Sequence, residues 1–164
     1  MAGGAAAALW AAQEPLDRRL FDSDYSDVEL LGKVVTRGDE WPLVGVALHV
    51  QNGMAFGAAY AHLTPFLPGP PAVKGLIAGM LENFALWPLG RVVDDFHPAR
   101  GEMPTLWGNR RALAQATWRH ALFGVSLGLL EHLLNDRSDE EPPDVPASSN
   151  GHGNIEAAVS VGVA

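Results

Sequence analysis

From Pro42 to Leu63 the chain runs for 22 residues without an aspartate, glutamate, lysine or arginine. Coiled as a helix, a stretch of that length covers the ~30 Å of hydrocarbon in a bilayer. Two further stretches approach the same condition. Ala72 to Gly90 carries Lys74 at one end and Glu82 inside, and Ala112 to Leu134 carries Arg119 near one end and Glu131 near the other. The averages hide this bunching: 48% hydrophobic residues and a mean hydropathy of +0.05 would describe an ordinary globular chain. The pattern therefore predicts an all-α integral membrane bundle with three full transmembrane helices. The alternative, favoured by the low mean hydropathy, is a soluble helical bundle with unusually apolar helices.

A fourth segment begins at Met1. The apolar run to Ala12 would reach only about 18 Å as a helix, too short to span, but it can continue through Pro15 to Leu20. It lacks the basic start of a signal peptide. The expected transmembrane domain is 1–134, with spans at about 1–20, 42–63, 72–90 and 112–134 and the first of them a candidate fourth. Residues 135–164 are acidic and rich in Pro, Ser and Gly, which predicts a disordered tail. Between the spans, Ser26 followed by Glu29 is a capping-box pattern. It predicts a short helix with Val28, Leu31 and Val35 on one side, stopping at Gly38 and lying on the membrane surface.

Charge orients the bundle. Segments 13–41 and 91–111 hold eight of the eleven Lys and Arg residues. Positive loops stay cytoplasmic, so both belong inside an inner (plasma) membrane, with the C-terminus external. Trp10, Trp41, Trp87 and Trp107 all fall near predicted cytoplasmic ends, where indole rings favour the interface. The net charge of −8 and the lack of a basic stripe exclude a nucleic-acid partner. With no cysteine there is neither a disulfide nor a thiolate metal site. The expected partners are the lipid bilayer and other membrane subunits.

Each long apolar segment contains a GxxxG pair: Gly53 with Gly57, Gly75 with Gly79, and Gly124 with Gly128. In lipid, helices associate through close packing that small residues permit, so these glycines are expected at helix crossings. Polar residues fall on the same slanted ridges. His49, Asn52, Glu82, Asn83 and His120 lie at similar depth and should form one intramembrane polar cluster, because polar groups in a bilayer turn inward and find partners. As glue, such residues fix helix register. Glu82, near the middle of its span, is also a candidate proton or cation site.

The sequence requires no cofactor. His49 and His120 could serve as axial haem ligands, and the histidines with Glu82 could hold a divalent metal, but neither set has a defining spacing. Asp94, Asp95, His97 and Glu102 could touch a metal, although a solvated acidic loop explains them as well. No catalytic nucleophile or acid–base pair is marked by a motif. The stretch Gln13-Glu14-Pro15 with Asp17-Arg18-Arg19 reads as a helix end anchored at the interface.

On the Gln13-Glu14-Pro15-Leu16-Asp17 helix end, the His49 to Gly57 span and the Glu82-Asn83 span, the chain resembles the small multi-span membrane proteins of uncharacterised activity found in high-GC bacteria. The resemblance covers roughly residues 1 to 134 and implies a membrane location without a defined activity. Two functional expectations follow from the residues. One is a non-enzymatic membrane component whose polar cluster is packing glue. The other is a transporter-like or haem- or metal-binding protein in which Glu82 and the span histidines act.

Overall fold

The computed structural model describes residues 1–135; the acidic tail predicted from residue 135 onward lies, beyond Asn135, outside the described residues. The described chain is helical, without a strand. Helix α1 (Ala2–Phe21) is alanine-rich, the best helix-forming composition, and it does continue through Pro15. It stops at Asp22, which adopts a left-handed conformation, with Arg18 and Arg19 in the last turn where cations suit the helix dipole. Helix α2 (Asp27–Val35) starts at Ser26, whose hydroxyl accepts the Glu29 N–H at 3.0 Å. It ends three residues short of Gly38, with Val35 exposed and Val28 buried.

Helix α3 (Trp41–Leu63) opens with Pro42 in its first turn, where the missing N–H costs nothing. A turn around Gly69, whose φ of 93° suits glycine, leads to α4 (Pro71–Leu86). A 3₁₀ turn, Trp87–Leu89, then joins α4 to α5 (Gly90–Phe96), so helix persists six residues into the segment expected to be loop. Asn109 caps α6 (Arg110–Asn135), its side-chain oxygen accepting the N–H groups of Arg111 and Ala112 at 3.1 Å each.

The long helices pack in a row, α4 against α6, α6 against α1 and α1 against α3, with α2 laid on α3. Glycines set the crossings. A Cβ on Gly75 would collide with the Gly124 carbonyl, and one on Gly128 with the Pro71 carbonyl. Gly3 and Gly53 bring α1 and α3 together in the same way. Helices α3 and α4 do not pack along their lengths, which leaves one flank of the bundle open.

Polar side chains share the interior with a hydrophobic core around Trp10, Tyr60, Phe123 and Leu127. Among the six largest fully buried side chains are Arg119, Gln115, Asn83 and Asp17, and only Tyr60 and Leu127 are hydrophobic. Meanwhile Leu16, Leu43, Leu81, Phe84 and Leu133 lie 59–76% exposed on the outside of the helices. Among the described residues, one segment, Pro71–Phe96, is long and apolar enough to cross a membrane by length and composition, and most of its apolar window lies on the surface. One tryptophan expectation needs correction. Trp10 does not sit at an interface but is 5% exposed in the core, because α1 continues well past it.

The two basic segments meet at one end of the bundle. Glu102 pairs with Lys33 at 2.9 Å and with Arg37, Arg111 pairs with Asp22, and His97 Nε2 bonds the Leu30 carbonyl at 3.0 Å. Hydrogen bonds from Lys33 and Arg37 hold the Glu102 carboxyl below its ordinary range, and those to Glu29 and Glu102 raise the Lys33 ammonium above its own.

A buried ion cluster and an adjoining cavity

Two polar assemblies occupy the interior. The first is centred on Arg119, one turn after Gln115 on α6. Opposite lie Glu14 and Asp17, three residues apart and therefore on one face of α1, and Asp27 in the first turn of α2. The guanidinium binds Asp17 through two parallel contacts, Nε to Oδ2 and Nη2 to Oδ1, both at 2.6 Å. Nη1 reaches Asp27 at 2.8 Å and Glu14 at 3.0 Å, and Nη2 also donates to the Tyr25 carbonyl at 3.1 Å. These polar contacts match the five N–H donors of a guanidinium.

The acids are equally engaged. Ser26 Oγ donates to Glu14 at 2.9 Å, and the Asp27 N–H donates to Glu14 at 3.0 Å. Gln115 and Gln13 donate to Asp17 at 2.7 and 2.5 Å, and Tyr25 Oη donates to Asp27 at 2.5 Å. Three carboxylates face one guanidinium, so the cluster carries a formal charge of −3 + 1 = −2. Burial opposes the charge on Asp27, but the Arg119 guanidinium and the Tyr25 hydroxyl outweigh it and hold the carboxyl below the usual aspartate range. Burial, with Asp27 beside it, pushes the Tyr25 phenol well above its ordinary value.

The sequence reading missed this cluster. It took Glu14 and Asp17 for a helix end anchored at the interface and Arg119 for a residue near the end of its span. The available signal was the matched helical spacing of Gln13, Glu14 and Asp17 on one segment and Gln115 and Arg119 on another.

The second assembly is a cavity of about 370 Å³. All five residues of the expected polar cluster, His49, Asn52, Glu82, Asn83 and His120, line it, together with Trp10, Phe56, Phe123 and Trp87. Tyr25 and Asp27 also line it, so the two assemblies share a wall. Trp10 packs edge-on against His49, His120 and Phe123, with ring centroids 5.0, 4.7 and 5.9 Å apart.

The five are not bonded to one another. Asn83 donates to Thr117 Oγ1 at 3.1 Å, and His120 Nδ1 bonds the Ala116 carbonyl at 2.8 Å. Glu82 and Asn52 have no hydrogen-bond or ion-pair partner among the described residues. The buried atoms Trp10 Nε1, His49 Nε2 and Asn83 Oδ1 likewise find no partner there.

Among the described residues, no group of three or more His, Asp or Glu side chains is arranged to hold a metal ion. The loop set expected as an alternative is dispersed into structural roles. Asp94 accepts the N–H groups of Leu106 and Trp107 at 2.8 Å each, His97 ties its loop to α2, Glu102 pairs with Lys33, and Asp95 lies 4.0 Å from Arg91. The chain matches no protein-family model, and neither the curated proteins nor the solved structures gave a match.

Proposed function

We propose that this chain is a multi-pass membrane protein whose helices α1, α3, α4–α5 and α6 form a bundle around a small-molecule binding cavity, in the manner of a carrier rather than of a purely structural subunit. The observation that carries the reading is the state of the five intramembrane polar residues. Packing glue would consist of side chains bonded across helices, worth about 0.6 kcal/mol each. Of the five, Asn83 bonds Thr117 and His49 bonds the Ala7 backbone across helices; Asn52 and Glu82 make no such bond, and His49 Nε2 and Asn83 Oδ1 are left over at the common cavity. Pockets of about 300–1,000 Å³ with an apolar lining and a few converging polar groups are the usual form of a small-molecule site.

The membrane assignment is supported by the large apolar side chains on the outer faces of the helices and by the ion cluster buried inside. Close glycine crossings support it as well. The two basic segments, read as cytoplasmic, interlock at one end of the bundle.

Because the chain contains no cysteine, single cysteines test this directly. In native membranes, a cysteine at Phe84 or Leu129 should resist a membrane-impermeant maleimide. One at Gly101 should react only once the cytoplasmic side is opened, and one at Pro68 should react from outside. Rapid labelling at Phe84 and Leu129, with the protein recovered in the soluble fraction, would overturn the membrane reading.

A further inference from the structure

We infer that the cavity binds a protonated amine carrying an apolar body, with Glu82 as counter-ion and Asn83 as the acceptor of an amine N–H; this rests on the bundle reading above. Hydrogen-bond logic fixes what the wall presents. Thr117 has one hydroxyl proton, and it goes to the Leu113 carbonyl at 2.8 Å. Thr117 Oγ1 must therefore accept from Asn83, which places the amide nitrogen against Thr117 and leaves Oδ1 free. Asn83 is 2% exposed, so Oδ1 is a buried acceptor without a donor.

His120 follows the same rule. Its Nδ1 faces the Ala116 carbonyl, an acceptor only, so Nδ1 carries the proton and Nε2 of the neutral ring is an acceptor. Glu82 adds a carboxyl with no partner among the described residues. These three acceptors call for a ligand that donates, while Trp10 Nε1–H is an unpartnered donor on the same wall.

Charge points the same way. The neighbouring ion cluster has a surplus of two negative charges, and Asp27, one of its members, lies on the cavity wall. Opposite charge is thus favoured twice, by an unpaired carboxyl and by the field of the cluster. Trp10, Phe56, Trp87 and Phe123 supply ring faces that stabilise an ammonium group and pack an apolar body. The flank left open between α3 and α4 borders the apolar outer surface, where such an amphiphile would partition.

The test uses the full chain in lipid nanodiscs, read by the fluorescence of the cavity tryptophans, with four probes sharing one phenethyl body. Phenethylamine should bind saturably. Phenethyl alcohol and hydrocinnamate, neutral and anionic, should bind at least about tenfold more weakly, the scale of a lost charge-assisted hydrogen bond. Phenethyltrimethylammonium, charged but without an N–H, should also fall below the amine. Glu82→Gln should raise the amine Kd at least about tenfold at an unchanged melting temperature, and Glu40→Gln should leave it unaltered. Should Glu82→Gln not fold, Asn83→Leu provides the same reading, because it removes the second acceptor. Equal binding of alcohol or acid, or an unchanged Kd in the folded variants, overturns the amine assignment and leaves the bundle with a cavity of other specificity. No saturable binding of any probe overturns the cavity reading itself and the amine assignment with it.

Discussion

The Arg119 cluster and the cavity beside it are built from the same kinds of residue and share a wall, yet most of the cluster's polar atoms are bonded and several of the cavity's are not. At Arg119 every donor of the guanidinium meets an oxygen, and all three carboxylates are engaged. In the cavity a carboxyl, an amide oxygen and a ring nitrogen have no partner among the described residues. A buried polar group without a partner costs about 1–3 kcal/mol; Trp10 Nε1, His49 Nε2 and Asn83 Oδ1 gather three of them at one void, whereas Tyr60 Oη and Gln115 Oε1 are single instances elsewhere. The lesson is that burial of polar residues does not by itself mark function; the degree to which they are satisfied separates a fastening from a site.

The largest effect should come from cutting the fastening. Arg119→Met leaves three carboxylates buried without their counter-charge, and breaking a buried ion pair costs about 3–5 kcal/mol. Thermal unfolding in detergent should show the variant strongly destabilised or unfolded. A melting temperature near that of the parent would erase the distinction between the two assemblies.

Next comes the crossing that positions both. The Cβ of Gly75→Ala would press on the Gly124 carbonyl, a backbone atom that cannot rotate away. Overpacking of this kind costs about 1–3 kcal/mol, and melting should fall accordingly. Gly101→Ala meets open space and should be silent; equal melting of the two variants would remove glycine packing from the account.

A third measurement sharpens the comparison through pH. The folded pKa of Asp27 lies below its unfolded value. Its contribution to stability is therefore complete above the ordinary aspartate range and is lost as pH falls through the folded pKa. As pH falls from about 5 through the ordinary aspartate range and the folded pKa below it, the parent should lose more stability than Asp27→Asn, the two curves converging in strong acid. Parallel curves would show that Asp27 is not held ionised by Arg119.

The smallest effect is expected in the cavity. Glu82→Gln breaks no hydrogen bond or ion pair among the described residues, so its stability should stay within about 0.5 kcal/mol of the parent. Glu82→Leu, which deletes an unpartnered carboxyl, should fold at least as well. A loss comparable to that of Arg119→Met would mean that Glu82 is a fastening too.

How much of this was legible in advance differs by level. The long helices follow from apolar, charge-poor runs, only that of α3 being charge-free, and Ser26 with Glu29 marked the start of α2 correctly. The joint polar position of His49, Asn52, Glu82, Asn83 and His120 followed from counting depth along each span. What counting could not supply was azimuth, the side of each helix a residue faces. Trp10 was placed at an interface because its position in the chain lies near a predicted boundary, whereas its packing against two histidines depends on how α1 rotates between α3 and α6.

The same limit hid the pairing of Arg119 with Glu14, Asp17 and Asp27. Those residues are about 90 to 105 positions apart along the chain, and no local period links them. By itself, then, the sequence determined which stretches are helical and which residues carry charge, because helix formation depends on local composition and on caps within a turn. Only the tertiary structure decided which polar groups are satisfied and which stand free. That outcome depends on how α1, α2, α4 and α6 rotate and cross, and the GxxxG spacing marks glycines at the crossings without saying which helix each one meets.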